Sequence, residues 1–245
     1  MPISRKSFLG STVIATSAAL AAAHIPPASA ADAPDAPDAP AGRAPVHFKV
    51  LKPGDYDHAG MMRKLSAATP HKQVFESVSP LVVAPGVASI YIHMQNAMNA
   101  YETSFGYGRG KLATLAVLIG PSIIFGLNDA MWKKYNFGAA MKLDPTNSYY
   151  RAGSNLDMSA SPDDPNGIYQ DWSGQAVLKR GGSFMVCHNA TTAVAAMFAG
   201  KMGLQVPDVL AEFKANLLPG FMLVPAGVAT VQLAQENGWK LYAII

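Results

Sequence analysis

The sequence predicts an α/β protein with a mainly parallel sheet of about five strands and helices on both faces. Short apolar runs of strand length alternate along the chain with longer segments whose apolar residues recur at helical spacing. This alternation requires crossover connections, which are right-handed and bring successive strands into one parallel sheet. The run at residues 112–119 is almost continuously apolar, as expected for a parallel strand buried on both sides. We therefore expect a doubly wound domain.

The elements follow in a regular order. The strands are expected at residues 72–78, 112–119, 183–187, 221–224 and 239–245. The helices are expected at residues 87–105, 128–135, 189–202, 207–217 and 228–237. Weaker patterns indicate an edge strand at 47–51 and a short helix at 56–65. Proline or glycine separates most of these segments, as at Pro80, Gly120 and Gly238, because neither residue continues a regular element easily.

The amino terminus resembles an export signal. Arg5 and Lys6 precede a short, weakly apolar stretch, and Ala28-Ser29-Ala30 supplies a small-residue cleavage site. We expect residues 1–30 to be removed and the mature protein to be exported, most simply to the periplasm. The basic pair followed by Phe-Leu resembles a twin-arginine signal. Because Lys6 replaces the second arginine, the general secretory route stays open beside the favoured twin-arginine route.

Three further segments define the domain organisation. Residues 31–45 repeat Ala, Asp and Pro, which predicts an extended linker. Residues 46–245 are expected to form a single α/β domain. Within it, residues 136–182 are rich in Pro, Gly, Asn, Asp and Ser and predict an irregular insertion: a lid, an oligomer contact or a locally disordered segment.

Composition argues against several classes of function. Without residues 1–30 the chain keeps 17 basic and 16 acidic residues, so it lacks the basic surface that nucleic-acid binding requires. Residues 112–127 are apolar, but Gly120-Pro121 interrupts them and they fall short of the roughly 20 residues of a membrane span. A single cysteine cannot form an internal disulfide.

That cysteine, Cys187, lies where an apolar strand meets an alanine-rich helix, with Asn189 predicted as the N-cap. A helix start favours anions, so a thiol at this position is expected to ionise more readily than one in a core. Ligand sites in such folds also lie at the carboxyl ends of the strands. The alternative is that Cys187 is a small buried apolar residue.

Four segments around and after the thiol form a pattern. They are Phe184-Met185-Val186-Cys187-His188-Asn189, Leu218-Pro219-Gly220, Val224-Pro225-Ala226-Gly227-Val228-Ala229 and Gly238-Trp239-Lys240-Leu241-Tyr242. Upstream, His93, Asn96, Asn99 and Tyr101 on one helix and Val117-Leu118 before Gly120-Pro121 extend the pattern. Over residues 72–135 and 183–245 the chain resembles exported members of the DsrE/DsrF-like sulfur-relay family.

This resemblance implies a compact α/β fold that assembles into homo- or hetero-oligomers. It also implies that Cys187 carries sulfur as a persulfide. The partners would be a second copy of the chain and a sulfur donor or acceptor, either a protein or a small sulfur compound.

Four polar residues are candidates to line the site. His188 could hold the thiolate or donate a proton, since imidazole titrates near neutrality. The alternative, which the position next to Cys187 favours, is a surface histidine that points away from the thiol. Asn189 lies at the predicted helix start. Asn96 and His93 share one helix face, and they either reach the same pocket or are satisfied at a helix–sheet interface.

No metal and no cofactor is predicted. Asp55, Asp57 and His58 form a loop cluster without a second ligand pair or zinc-type spacing. The glycine cluster at residues 106–111 follows a helix and precedes a strand, whereas nucleotide loops follow a strand and precede a helix. It predicts a turn.

Two hypotheses of function remain. The first is an exported sulfur-handling protein, sulfurtransferase-like if it is an enzyme, in which Cys187 carries sulfane sulfur. The second is a non-catalytic binding or assembly module with the same fold and a buried structural cysteine.

Overall fold

The computed structural model describes residues 46–152 and 171–244. Within them the strands are β1 (His71–Ser77), β2 (Val82–Ala84), β3 (Val87–Ala88), β4 (Leu112–Leu118), β5 (Ser183–Cys187), β6 (Phe221–Val224) and β7 (Lys240–Ile244). Five of these form one parallel sheet in the order β6-β5-β4-β1-β7. The predicted α/β class and strand number are therefore confirmed. Strands β2 and β3 form a small antiparallel pair.

The α-helices of the described residues are α1 (His58–Leu65), α2 (Ser89–Asn99), α3 (Asp129–Tyr135), α4 (Phe137–Met141), α5 (Gly174–Lys179), α6 (His188–Met202), α7 (Val206–Ala215) and α8 (Gly227–Glu236). A π-helical turn, Ala100–Ser104, continues α2, and a 3₁₀ helix, Gly120–Gly126, follows β4. No helix in this part of the chain has both the length and the apolar character that crossing a bilayer requires.

The helices divide between the two faces of the sheet, as the sequence predicts. Side chains alternate along each strand, so Phe75, Ala116 and Phe184 belong to a large core with α2 to α7. The strand residues next to them in sequence, such as Met185, face the other way and belong to a smaller core with α1 and α8, where Val231 is one of the buried residues. Strand β6 lies at one edge of the sheet and β7 at the other. Helix α8, which connects them, therefore crosses the face opposite the large core, and the smaller core lies beneath it.

Most predicted elements match the structure within a few residues, and three differ. Residues 47–51 form no strand, because no neighbouring strand pairs with them. Residues 87 and 88 belong to β3 and not to the first long helix, which begins at Ser89. The helix after Cys187 begins at His188, one residue earlier than expected.

The segment 136–182 is more ordered than its composition predicts in the parts that the structure describes. It contains α4 and α5, and Phe137, Tyr149 and Val177 are buried in the large core. These apolar side chains lack a regular period, so they gave no helical signal. Residues 153–170, the predicted signal at 1–30 and the predicted linker at 31–45 lie outside the described residues.

Candidate functional site

The connections that follow β5 and β6 leave the carboxyl ends of these neighbouring strands toward opposite faces of the sheet. Strand β5 leads into α6 on one face, whereas β6 leads into α8 on the other. Cys187, the last residue of β5, lies opposite Val224, the last residue of β6. Ligands of open α/β sheets bind in the crevice at such a switch point. Cys187 therefore lies at the carboxyl edge of the sheet, as the sequence predicts.

Cys187 itself caps helix α6. Its backbone is extended (φ −69°, ψ 118°), and its Sγ atom accepts a hydrogen bond from the backbone N–H of Ala190 at 3.3 Å. The prediction that Asn189 is the N-cap is wrong. Asn189 lies within the first turn of α6 with an exposed side chain, because the strand continues into the helix without an intervening residue.

A second helix start meets the same cysteine. Helix α8 begins at Gly227, and a Cβ atom there would lie 3.2 Å from the Cβ of Cys187 and 2.4 Å from the Cγ1 of Ile119. Only glycine permits this approach. The N-cap residue of α8, Ala226, provides no side-chain acceptor for the first backbone N–H groups. The amino termini of α6 and α8 therefore both lie beside Cys187, and helix amino termini in general favour negative charge.

The thiol is buried. Only 4% of Cys187 is exposed, and its carbonyl oxygen accepts a hydrogen bond from the Thr191 hydroxyl at 2.8 Å. A reagent or a partner protein therefore reaches the Sγ atom only after a local opening of the surrounding structure.

His188 is buried immediately beside the thiol in sequence. It is 2% exposed, and neither ring nitrogen has a hydrogen-bond partner among the described residues. Burial lowers the pKa of His188, and the positive charges of Lys214 and Lys49 lower it further, while Asp55 opposes them. Lys49 and Asp55 also form an ion pair at 2.9 Å. The imidazole is therefore a neutral group with unused donor and acceptor capacity.

The structure does not bring the other two predicted residues to this crevice. The His93 ring packs against Tyr242 of β7 at a centroid distance of 5.2 Å, and Asn96 is exposed. Strand β7 is three positions away from β5 in the sheet, or about 14 Å at the usual strand spacing. His93 therefore lies at a helix–sheet interface, which was the alternative interpretation, and burial lowers its pKa.

Two features of the site have no clear signal in the sequence. The missing hydrogen bonds of His188 depend on tertiary surroundings, and the close approach of Gly227 depends on the direction of α8. The Pro-Ala-Gly sequence before α8 indicated only a turn. Within the ranges 46–152 and 171–244, no group of three or more His, Cys, Asp and Glu side chains could hold a metal ion.

No protein-family model matches the chain, and no curated protein matches it.

Proposed function

We propose that the protein is an exported sulfur carrier in which Cys187 holds sulfane sulfur as a persulfide. The observation that carries the proposal is the Cys187 Sγ atom at the start of α6, in the crevice where α8 also begins. A persulfide is an anion at neutral pH, and two helix starts stabilise an anion at this point. The neutral imidazole of His188 adds a buried group able to accept or donate a proton.

The proposed reaction conserves sulfur oxidation states overall. The Cys187 thiolate attacks the outer sulfur of a donor persulfide, a new S–S bond forms, and the S–S bond of the donor breaks. The donor leaves as a thiolate, and the proton of the transferred sulfur is shared with solvent or with His188. An acceptor thiolate later attacks the outer sulfur on Cys187 and restores the thiol.

The predicted export signal extends the proposal to location, and the family resemblance extends it to partners. A protein exported to the periplasm would exchange sulfur with a donor and an acceptor outside the cytoplasm. Because Cys187 is 4% exposed, docking of the donor would have to open the crevice before transfer. An acceptor that binds the same edge would use the same opening.

Intact-protein mass spectrometry tests this proposal. The mature chain is treated with a low-molecular-weight persulfide, and the Cys187→Ser variant serves as the control because it has no thiol. We expect a gain of one or more sulfur atoms in the parent protein alone, reversed by a thiol reductant. An identical mass change in both proteins, or none in either, contradicts sulfur transfer to Cys187.

A second candidate is a non-catalytic assembly module. Strand β7 is an edge strand, and four of its five residues, Lys240 to Ala243, are exposed. Its free backbone edge can pair with β7 of a second copy related by a two-fold axis. The near-complete burial of Cys187 also fits a structural cysteine.

Sedimentation velocity and thiol alkylation separate the two candidates. The assembly module predicts an oligomer that Leu241→Glu dissociates, whereas Val228→Glu on the exposed start of α8 leaves it intact. It also predicts that Cys187 is alkylated only on global unfolding. Alkylation of the folded protein that accelerates when a persulfide donor protein is added favours the sulfur carrier.

A further inference from the structure

A cavity of about 340 Å³ lies at the amino edge of the sheet, at the opposite end of the strands from Cys187. Its walls include His71, Lys72 and Gln73 of β1, Tyr101 of the π-helical turn and Lys240 of β7. No carboxylate is present among the described residues that line it.

A stagger between two neighbouring strands creates this cavity. Strand β1 begins at His71, but its pairing with β7 begins at Gln73, which lies opposite Lys240. The first two residues of β1 therefore extend past β7, and no strand of the described residues pairs with them on that side. The resulting notch presents these backbone groups together with the side chains of His71 and Lys72.

The positive groups of the cavity are available for a ligand. Across the described ranges, no hydrogen bond or ion pair engages the side chains of His71, Lys72 or Lys240. The Lys72 ammonium lies close to Gly238, since a Cβ atom at that position would be 3.7 Å from Nζ. The nearby Glu102 carboxylate is already bound by Arg180 at 2.9 Å. Two ammonium groups on one cavity repel each other unless an anion lies between them.

Aromatic contacts hold the imidazole of His71 on the wall. Its ring centroid is 5.0 Å from that of Tyr101 and 4.3 Å from that of Tyr107. Tyr101 and Tyr107 also stack on each other. The π-helical turn Ala100–Ser104 makes this arrangement possible because it widens the helix end where Tyr101 lies. These ring contacts fix the imidazole and leave its nitrogens free for hydrogen bonds.

We propose that this cavity binds a small dianion, either a phosphate-type oxyanion or a short dicarboxylate. Lys72 and Lys240 supply the two positive charges, and His71 supplies a hydrogen bond. The volume matches a small metabolite, since ligand cavities begin at about 300 Å³. The site is independent of sulfur chemistry at Cys187.

Isothermal titration calorimetry at low ionic strength tests the proposal with inorganic phosphate and with succinate. Acetate serves as the monoanion for comparison. We expect saturable binding of one or both dianions. The affinity should fall by about tenfold or more in Lys72→Met and in Lys240→Met, because each substitution removes one of the two ammonium groups that would pair with the dianion. Lys133→Met, an exposed charge on α3, is the matched control and should change affinity by less than about twofold.

Each result decides the question. Binding of phosphate alone identifies an oxyanion site, and binding of succinate alone identifies a dicarboxylate site. The proposal is overturned if neither dianion binds with a dissociation constant below about 10 mM, which corresponds to a binding free energy of about 3 kcal/mol. An equal loss in Lys133→Met also overturns it, because that loss reports the overall charge. Cys187→Ser should keep full affinity, which separates this proposal from sulfur transfer.

Discussion

His188 lacks the hydrogen-bond partners that buried polar side chains normally have. Both ring nitrogens are without a partner in the described part of the chain, and burial holds the pKa of His188 below its ordinary value of 6.5. The start of α6 adds a further reason, since a cation is unfavourable near a helix amino terminus. Such an unsatisfied group destabilises the fold and is consistent with a role in function.

Protonation of His188 should make stability depend on pH. Because the pKa of His188 is lower in the folded state than in the unfolded state, the unfolded chain binds the proton first. The free energy of unfolding should therefore fall as the pH decreases below about 6.5. Chemical denaturation between pH 5 and 8 measures this slope.

Replacing the imidazole should raise stability. His188→Phe is expected to increase the free energy of unfolding at pH 7 by about 1–2 kcal/mol, because it removes two buried ring nitrogens that have no partner among the described residues. It should also reduce the slope with pH. His47→Phe, at an exposed position, is the control. An unchanged slope in His188→Phe would show that other groups cause it, of which His93 is one.

At the scale of elements, the start of α8 depends on glycine. A Cβ atom at position 227 would lie within 2.4 Å of Ile119 and 3.2 Å of Cys187. Gly200 in α6 gives the opposite case, because a Cβ atom there would contact nothing within 4 Å. Two helical glycines of the same chain therefore differ in the space around them.

Gly227→Ala is expected to lower the free energy of unfolding by about 1–3 kcal/mol through overpacking. Gly200→Ala should raise it by about 0.5–1 kcal/mol, because alanine favours the helix. In an Ile119→Ala background Gly227→Ala should cost less than in the parent protein, since the closest side chain is then absent. Thermal and denaturant unfolding of the parent, the three single variants and the double variant measure these differences, and equal effects of the two glycine substitutions would contradict the packing argument.

Arg180, which follows α5, ties that helix to α2. Its guanidinium group bonds to Gln95, to Asn99 at 2.7 Å and to Glu102 at 2.9 Å, and only 11% of its side chain is exposed. Arg180→Met should cost about 3 kcal/mol because Glu102 loses a buried partner. Arg63→Met, on the exposed side of α1, should change stability by about 0.5 kcal/mol or less. Comparable losses in the two variants would contradict this role.

At the scale of the whole molecule, α1 completes the smaller core. Leu65 is fully buried, and its carbonyl oxygen accepts a hydrogen bond at 2.7 Å from the indole N–H of Trp239. This contact joins the first helix of the described residues to the residue that precedes their last strand, β7. The fold therefore requires α1, although the sequence indicated it only weakly.

Leu65→Ala is expected to lower the free energy of unfolding by about 2–5 kcal/mol, because it leaves a cavity beneath α1. The neighbouring Lys64→Ala should have an effect of about 0.5 kcal/mol or less, since Lys64 is exposed. Global denaturation curves provide the comparison. If Leu65→Ala increased amide hydrogen exchange in α1 but left the global free energy of unfolding unchanged, α1 would not be part of the cooperatively folded core.

The sheet and most helices could be predicted from the sequence because each side of an element that is buried carries apolar residues. The spacing of those residues indicates a strand or a helix. The sequence predicted Cys187 at the strand end for the same reason. The position of His93 could not be predicted, because it depends on the strand that α2 covers. Whether Cys187 or Asn189 is the N-cap depends on a difference of two residues in where the helix begins, which apolar periodicity does not define.

The hydrogen bond from Ala190 to the Cys187 sulfur gives the protein a built-in spectroscopic reporter. A sulfur atom, an alkyl group or an oxygen added to the thiol changes the charge of the sulfur and its geometry as a hydrogen-bond acceptor. The chemical shift of the Ala190 amide proton should therefore change in a ¹H–¹⁵N spectrum. With a single cysteine in the chain, such a shift reports modification of that thiol without a probe attached to it. The state of the thiol can thus be followed in real time through a neighbouring backbone resonance.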